Sequence, residues 1–315
     1  MLHLRLRVPE ELSDDVVALL DDDETVTNVV VVPGGFRKPP GCLVLADAAR
    51  ENATGVIKKL RELDLHHQGS ISIDEIDTIL SDEAARVERV APGAPDDGVV
   101  WVSVEQRLRE DSRLSFAFIA FMTLAALIAG TGRILDQPIL IVGAMVVGPE
   151  FSPIAAICFA LAHPRIGMLP PALRALITGF AVAGAIATAI WTAAYHLGVF
   201  TRTQASSGDL TDFIVHPDGW SFAVACLAGI AGTLSLTTAK SGPLVGVFIS
   251  VTTIPAVGTI AVCLACGVWH EAGSALAQLA INLLGIILAG TLTLLVQRLV
   301  WQRVAIRARH SLVRR

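Results

Sequence analysis

Gly143-Ala-Met145-Val-Val-Gly148-Pro149-Glu150-Phe-Ser152-Pro153-Ile154 is an apolar run broken by two prolines around one acidic residue. A related stretch follows a hundred residues on: Gly242-Pro243-Leu-Val-Gly246-Val-Phe-Ile-Ser250-Val-Thr252-Thr253-Ile-Pro255. Each is preceded by an apolar run carrying Ala-Gly-Thr, at Ala129-Gly130-Thr131 and at Ala231-Gly232-Thr233, and each is followed by a further apolar run. A three-run unit written twice, with a matching interrupted helix in each copy, is a pattern seen in secondary transporters and related pores. An odd number of spans per copy makes the second copy enter from the opposite side, so the repeats are inverted.

Composition agrees with a membrane class. The chain has 315 residues and is 53% hydrophobic, with a mean hydropathy of +0.62. Its charge is divided: residues 1–112 hold 12 Lys/Arg and 23 Asp/Glu, net −11, leaving net +6 for the remainder. Such asymmetry implies two regions in different solvents. Six spans are expected at Leu114–Thr131, Pro138–Ala162, Pro171–Leu197, Trp220–Thr237, Leu244–Val268 and Ala275–Leu299, each near the ~20 residues that cross a bilayer. With both termini cytoplasmic, the inner flanks collect twelve basic residues, among them Arg165, Arg174, Lys240 and Arg298, and the outer flanks only Arg133 and Arg202. That follows the positive-inside rule. The expected location is a bacterial cytoplasmic membrane.

The front reads as a separate α+β domain over 1–80. Leu2–Val8 alternates as a strand, and Ser13 is placed to cap a helix through Leu20. Val26–Val32 is a β-branched run ending at the turn signal Pro33-Gly34-Gly35, Cys42–Leu45 a short strand, Asn52–Leu63 a helix, and Ser70–Ile76 a strand. The order β-α-β-β-α-β is ferredoxin-like. Residues 81–113 read as a linker with a polar helix and a juxtamembrane amphipathic helix, 114–300 as the membrane domain, and 301–315 as a basic cytoplasmic tail. The N-terminus has no apolar signal segment. Five cysteines, four of them in apolar runs, do not make a disulfide framework.

The chemistry is expected at the interrupted helices. A carboxylate at membrane depth costs about 2.5–3.5 kcal/mol on insertion scales and ordinarily faces a cavity or a partner. Glu150 is therefore read as a cation or proton site, or else as a helix-break residue paired with an arginine or used in an oligomer contact. Ser152, Ser250, Thr252, Thr253 and Asn282 are the candidate companions; hydroxyls in apolar helices also bond to their own backbone, and an amide also glues helices. Gly143, Gly148, Pro149, Pro153, Gly242, Pro243, Gly246 and Pro255 mark the breaks and hinges. Lys240 either guards an anion path or sets topology. Cys263-x-x-Cys266 reads as apolar packing. The glycines at 179, 184, 229, 232, 285 and 290 let helices approach.

No catalytic constellation is legible: there is no H-E-x-x-H, no Ser/His couple at depth, no P-loop and no zinc spacing. An acidic front domain excludes nucleic acid as a partner. His66-His67 lacks a cysteine or carboxylate at ligand spacing and reads as a solvated turn, as does Asp21-Asp22-Asp23-Glu24. No metal and no cofactor are expected. The expected partners are the lipid bilayer, a small solute or ion, and further copies of the chain.

At Gly143–Ile154, Gly242–Ser250 and Asn282–Gly290 the sequence resembles the domain-of-unknown-function 389 family of bacterial hydrophobic proteins. The resemblance implies a multi-span core, often with a cytoplasmic domain attached, and supplies no substrate. Two departures stand out: the family pattern has an apolar residue where Glu150 stands, and Pro-Pro where this chain has Ile254-Pro255. The reading that results is a transporter or channel with a cytoplasmic regulatory or assembly domain. The rival is a non-transporting membrane sensor or scaffold.

Overall fold

The computed structural model describes residues 1–76, 79–91, 98–206, 208, 210–216, 218–238 and 253–312; the side chains of 213 and 301–312 lie outside the description. The chain divides into two compact units, one holding Met1–Val104, the other Glu105–Leu236 and Ser241–Leu299.

In the first unit, Leu2–Val8 (β1) buries every second residue, Leu2, Leu4, Leu6 and Val8, as its alternation requires. Ser13–Asp21 (α1), Val26–Arg37 (β2), Pro40–Ala48 (β3), Arg50–Glu62 (α2), the single turn Leu65–Gln68 (α3) and Ser70–Glu75 (β4) complete it. The sheet order is β2-β3-β1-β4, and every neighbouring pair is antiparallel. Val16 and Leu20 of α1, and Val56 and Leu60 of α2, close one core with Leu4, Leu6 and Val44.

Three details differ from the sequence reading. Ser13 does not cap α1: a 3-10 turn at Glu10–Leu12 leads in, so Ser13 is already helical. Pro33-Gly34-Gly35 does not end β2: the strand runs on to Arg37, and the extra residues are absorbed by a register shift between Val32 and Phe36. The helix Asp82–Val90 (α4), capped by Ser81 Oγ on the Ala84 N–H, is no free linker, for its Val87 packs with Ala49 and Ala91. Further on, Val100 packs with Leu2, Ala53 and Ile57.

The second unit is helical. Trp101–Asp111 (α5) leads in from the first. Phe116–Ile134 (α6), Leu169–His196 (α9), Gly219–Thr237 (α11) and the apolar part of Trp269–Leu312 (α13) are long and apolar enough to cross a membrane. Pro138–Val147 (α7) and Phe151–Ala162 (α8) make a fifth element bent by 60°. Ile254–Ala265 (α12) is a shorter apolar helix. Arg202–Ser206 (α10) lies between α9 and α11. The expected fifth span, Leu244–Val268, falls partly outside the described residues, so the described count is four or five.

α6 is the hub of this unit. Phe118, Met122, Ala125 and Ala129 of α6 share one apolar cluster with Ile141 and Ala144 of α7, Ala183 of α9, Val257 of α12 and Leu279 of α13. A Cβ on Gly258 would stand 2.6 Å from Ala129 Cβ and 2.7 Å from Ala126 O, so only glycine lets α12 lie this close to α6. Gly229 of α11 does the same against Ile286 O of α13, at 2.6 Å. Large apolar side chains face outward along the same helices, with Ile139 77%, Leu227 66% and Ile177 64% exposed.

Candidate functional site

The break between α7 and α8 follows from local chemistry. A residue before proline is driven out of the helical region, and Gly148, before Pro149, is extended at φ −70°, ψ 125°. The chain re-enters a helix at Glu150, the N-cap of α8. Pro153 falls in the first turn of α8, where its missing N–H costs no intrahelical bond. α12 is built alike: it also has twelve residues, Thr253 is its N-cap and Pro255 sits in its first turn.

These two helix starts meet. Thr253 Oγ1 donates to Glu150 Oε1 at 3.0 Å across 103 residues of sequence. Glu150 is 1% exposed and Thr253 fully buried. The Gly148 backbone and the Ile254 side chain close the joint; a Cβ on Gly148 would run into Glu150 Oε2 and lie 2.8 Å from Ile254 Cγ1. Glu150 thus stands at the start of α8 while its side chain is bonded to the residue that starts α12. Helix N-termini carry partial positive charge, and the oxygen-rich group placed beside them here is the Glu150 carboxyl itself. An ionisable oxygen beside a hydroxyl, at the ends of interrupted helices, can hold a cation or take up a proton.

Ser152 is half-buried in the first turn of α8, and Asn282 is fully buried on α13. Gly143 lies inside the continuous helix α7 with open space beside it, so the break is at Gly148–Glu150. Ser250, Thr252, Gly242, Pro243, Gly246 and Lys240 lie outside the described residues. Sequence reasoning missed Gln278, one helical turn before Asn282 and 5% exposed, and Thr259 on α12, fully buried. Gln278 Oε1 and Thr259 Oγ1 have no hydrogen-bond partner among the described residues. The amide pair at 278 and 282, spaced for one helix face, was the available signal.

A second polar assembly, also missed, lies at the end of α6. Arg133, expected as an outer flank, is fully buried. Its guanidinium donates to Ala205 O at 3.2 Å, Thr211 Oγ1 at 3.0 Å and Glu271 Oε2 at 3.1 Å. Asp136 accepts from the Thr211 N–H and hydroxyl, at 3.0 and 2.9 Å. Desolvation works against the Asp136 carboxylate, but these bonds and those from Leu210 hold its carboxyl below the usual range. Cys263, buried, has its sulfur 3.9 Å from Glu271 Oε2.

At the far end of α8, Arg298 Nη1 caps Ala162 O at 2.8 Å, and Arg165 pairs with Glu105 at 3.3 Å. His163 stacks on Phe159 at 4.4 Å. Burial, then the charges of Arg298 and Arg165, push its imidazole down to about 4.

Residues 145–288 match the model of a family described as Domain of unknown function (DUF389). The matched stretch takes in Glu150, Thr253 and Asn282. No curated protein matches, and no solved structure matches.

Proposed function

We propose that this chain, which belongs to the DUF389 family through residues 145–288, is an integral membrane transporter or channel for a small solute or ion. The observation that carries the reading is the buried Glu150–Thr253 bond between two helix starts. A carboxylate in an apolar helical unit is costly unless it is used or compensated, and interrupted backbone at membrane depth is tolerated where it lines a cavity or is buried in protein. A monovalent cation or a proton is the species such a site suits.

Outward-facing apolar side chains on long helices support a lipid surround. The equal length of α8 and α12, each with proline in its first turn, supports reading the two halves as inverted repeats. The element order and strand order of the first unit support a ferredoxin-like domain that regulates or assembles the pore from the cytoplasm. Cytoplasmic termini in a bacterial inner membrane, homo-oligomerisation and the lack of enzymatic chemistry belong to the same proposal. A sensor or scaffold is the competing reading, and the separate core of the first unit is what favours it.

The test is flux in sealed vesicles holding the purified protein, with a panel of ions and a pH-sensitive dye. Wild type should conduct at least one ion or proton, and Glu150→Gln should lose that flux while keeping its elution profile and helix content. Flux unchanged in Glu150→Gln would remove Glu150 from the mechanism. A wild type silent to ions and to small organic solutes would favour the sensor.

A further inference from the structure

The sequence offers His66-His67 with no carboxylate at ligand spacing along a regular helix, but the fold supplies one. Asp64 adopts a left-handed conformation, φ 59° and ψ 18°, which folds the end of α2 back onto α3. The ligand atoms of Asp64, His66 and His67 then all lie within 4.8 Å of one another. The two imidazole centroids are 4.0 Å apart. We infer that Asp64, His66 and His67 form a binding site for a borderline divalent transition ion, of which Zn²⁺ is the simplest probe.

Two imidazoles and a carboxylate are the donor set that zinc, copper and nickel take, whereas calcium and magnesium want oxygen. Around a tetrahedral ion with bonds of about 2.0–2.1 Å, donor atoms stand roughly 3.3 Å apart. The cluster must tighten modestly, and all three side chains are exposed. Their backbone is not free. The Asp64 carbonyl accepts from the His67 and Gln68 N–H groups at 3.1 and 3.2 Å, and the Gly69 N–H donates to Leu65 O at 2.7 Å. Leu65 is fully buried in the core of the first unit. Arg7, the cation beside this turn, has its guanidinium engaged by Gln68 O at 2.9 Å. The Gln68 amide donates to Asp64 Oδ2 at 3.4 Å, a bond that orients the carboxylate. Three protein donors leave the remaining position to solvent, so the ion would be exchangeable, as a sensed ion must be.

The experiment uses the full chain in nanodiscs, without a histidine tag. Zn²⁺ is titrated calorimetrically, and Co²⁺ is followed by its visible absorption. One Zn²⁺ per chain is expected, unaffected by excess Mg²⁺. His66→Ala and His67→Ala should each weaken binding by more than about tenfold, exceeding the low end for loss of an outer-shell partner. Asp64→Asn, which keeps a residue that tolerates the left-handed turn, should weaken Zn²⁺ and change the Co²⁺ spectrum. Circular dichroism of every variant should match wild type. No stoichiometric Zn²⁺, or Zn²⁺ bound equally well by His66→Ala and His67→Ala, would overturn the site.

Discussion

Asp23 and Glu150 are both buried carboxylates, and they stand in different parts of the fold. Asp23, 8% exposed in the first unit, accepts from the Thr25 N–H, the Thr25 hydroxyl and the Asn52 amide, and pairs with Lys59 at 2.9 Å. It is a structural anion whose cation is supplied by α2. Glu150 sits in the second unit at the meeting of two helix starts, where it accepts from the Thr253 hydroxyl at 3.0 Å. Burying a charge is costly unless it is paired and hydrogen-bonded. The first case meets that cost with a fixed lysine. Under the proposed function, a transported cation or proton would act at the second. Residue type and burial alone do not separate them; their place in the fold, at a sheet-side turn or at two helix starts, does.

That contrast can be broken in order of effect size. Arg133 and Glu271 are a fixed pair of the second unit, so they should behave like Asp23 and Lys59. Arg133→Ala should destabilise the protein by about 3 kcal/mol, the low end for breaking a buried pair, because Glu271 keeps some exposure. A lowered thermal midpoint in detergent checks it; an unchanged midpoint would show the pair is dispensable. Asp23→Ala removes the acceptor of the Thr25 N–H and hydroxyl, the ion partner of Lys59 and one of the two acceptors of the Asn52 amide, and should cost about 1–3 kcal/mol, read by chemical denaturation, with ion flux per folded molecule unchanged. Thr253→Val removes one hydrogen bond, about 0.5–1.5 kcal/mol, and should weaken the coupled ion by about tenfold or less while leaving the thermal midpoint near wild type.

Acid gives the smallest and most diagnostic effect. Desolvation raises the Asp23 carboxyl, but the bonds from Thr25 and Lys59 outweigh it, so its folded value lies below 3.8. Its stabilisation is therefore complete above pH 3.8 and is lost as pH falls through the lower folded value. His163 titrates in another window. Its imidazole is held down to about 4 from 6.5, so the folded state loses stability as pH falls from about 6.5 to about 4. His163→Gln should flatten stability in that window, and Asp23→Asn should flatten it only below.

Much of this was legible in the chain. Alternation gave β1, and the Gly148-Pro149 pair located the helix break, because both signals act within a few residues. What was not legible depends on chain reversal. Glu150 and Thr253 were separate candidates until the fold joined them across 103 residues. Arg133 looked like an ordinary flanking charge, since nothing local says that Ala205, Thr211 and Glu271 will surround it. Asp23 was hidden in a run of acids whose other members are exposed. Asp64 joins the histidines only because its backbone turns left-handed, a state asparagine and aspartate tolerate but do not announce.

The most direct test of the central claim is chemical labelling of Glu150 in membranes with a hydrophobic carbodiimide, read by peptide mass spectrometry across an ion panel. A site that exchanges a proton or cation predicts modification at Glu150 that one ion slows in a concentration-dependent way, with the effect weakened in Thr253→Val. Labelling of Glu150 that no ion alters would contradict it, and would class Glu150 with Asp23 as a structural carboxylate.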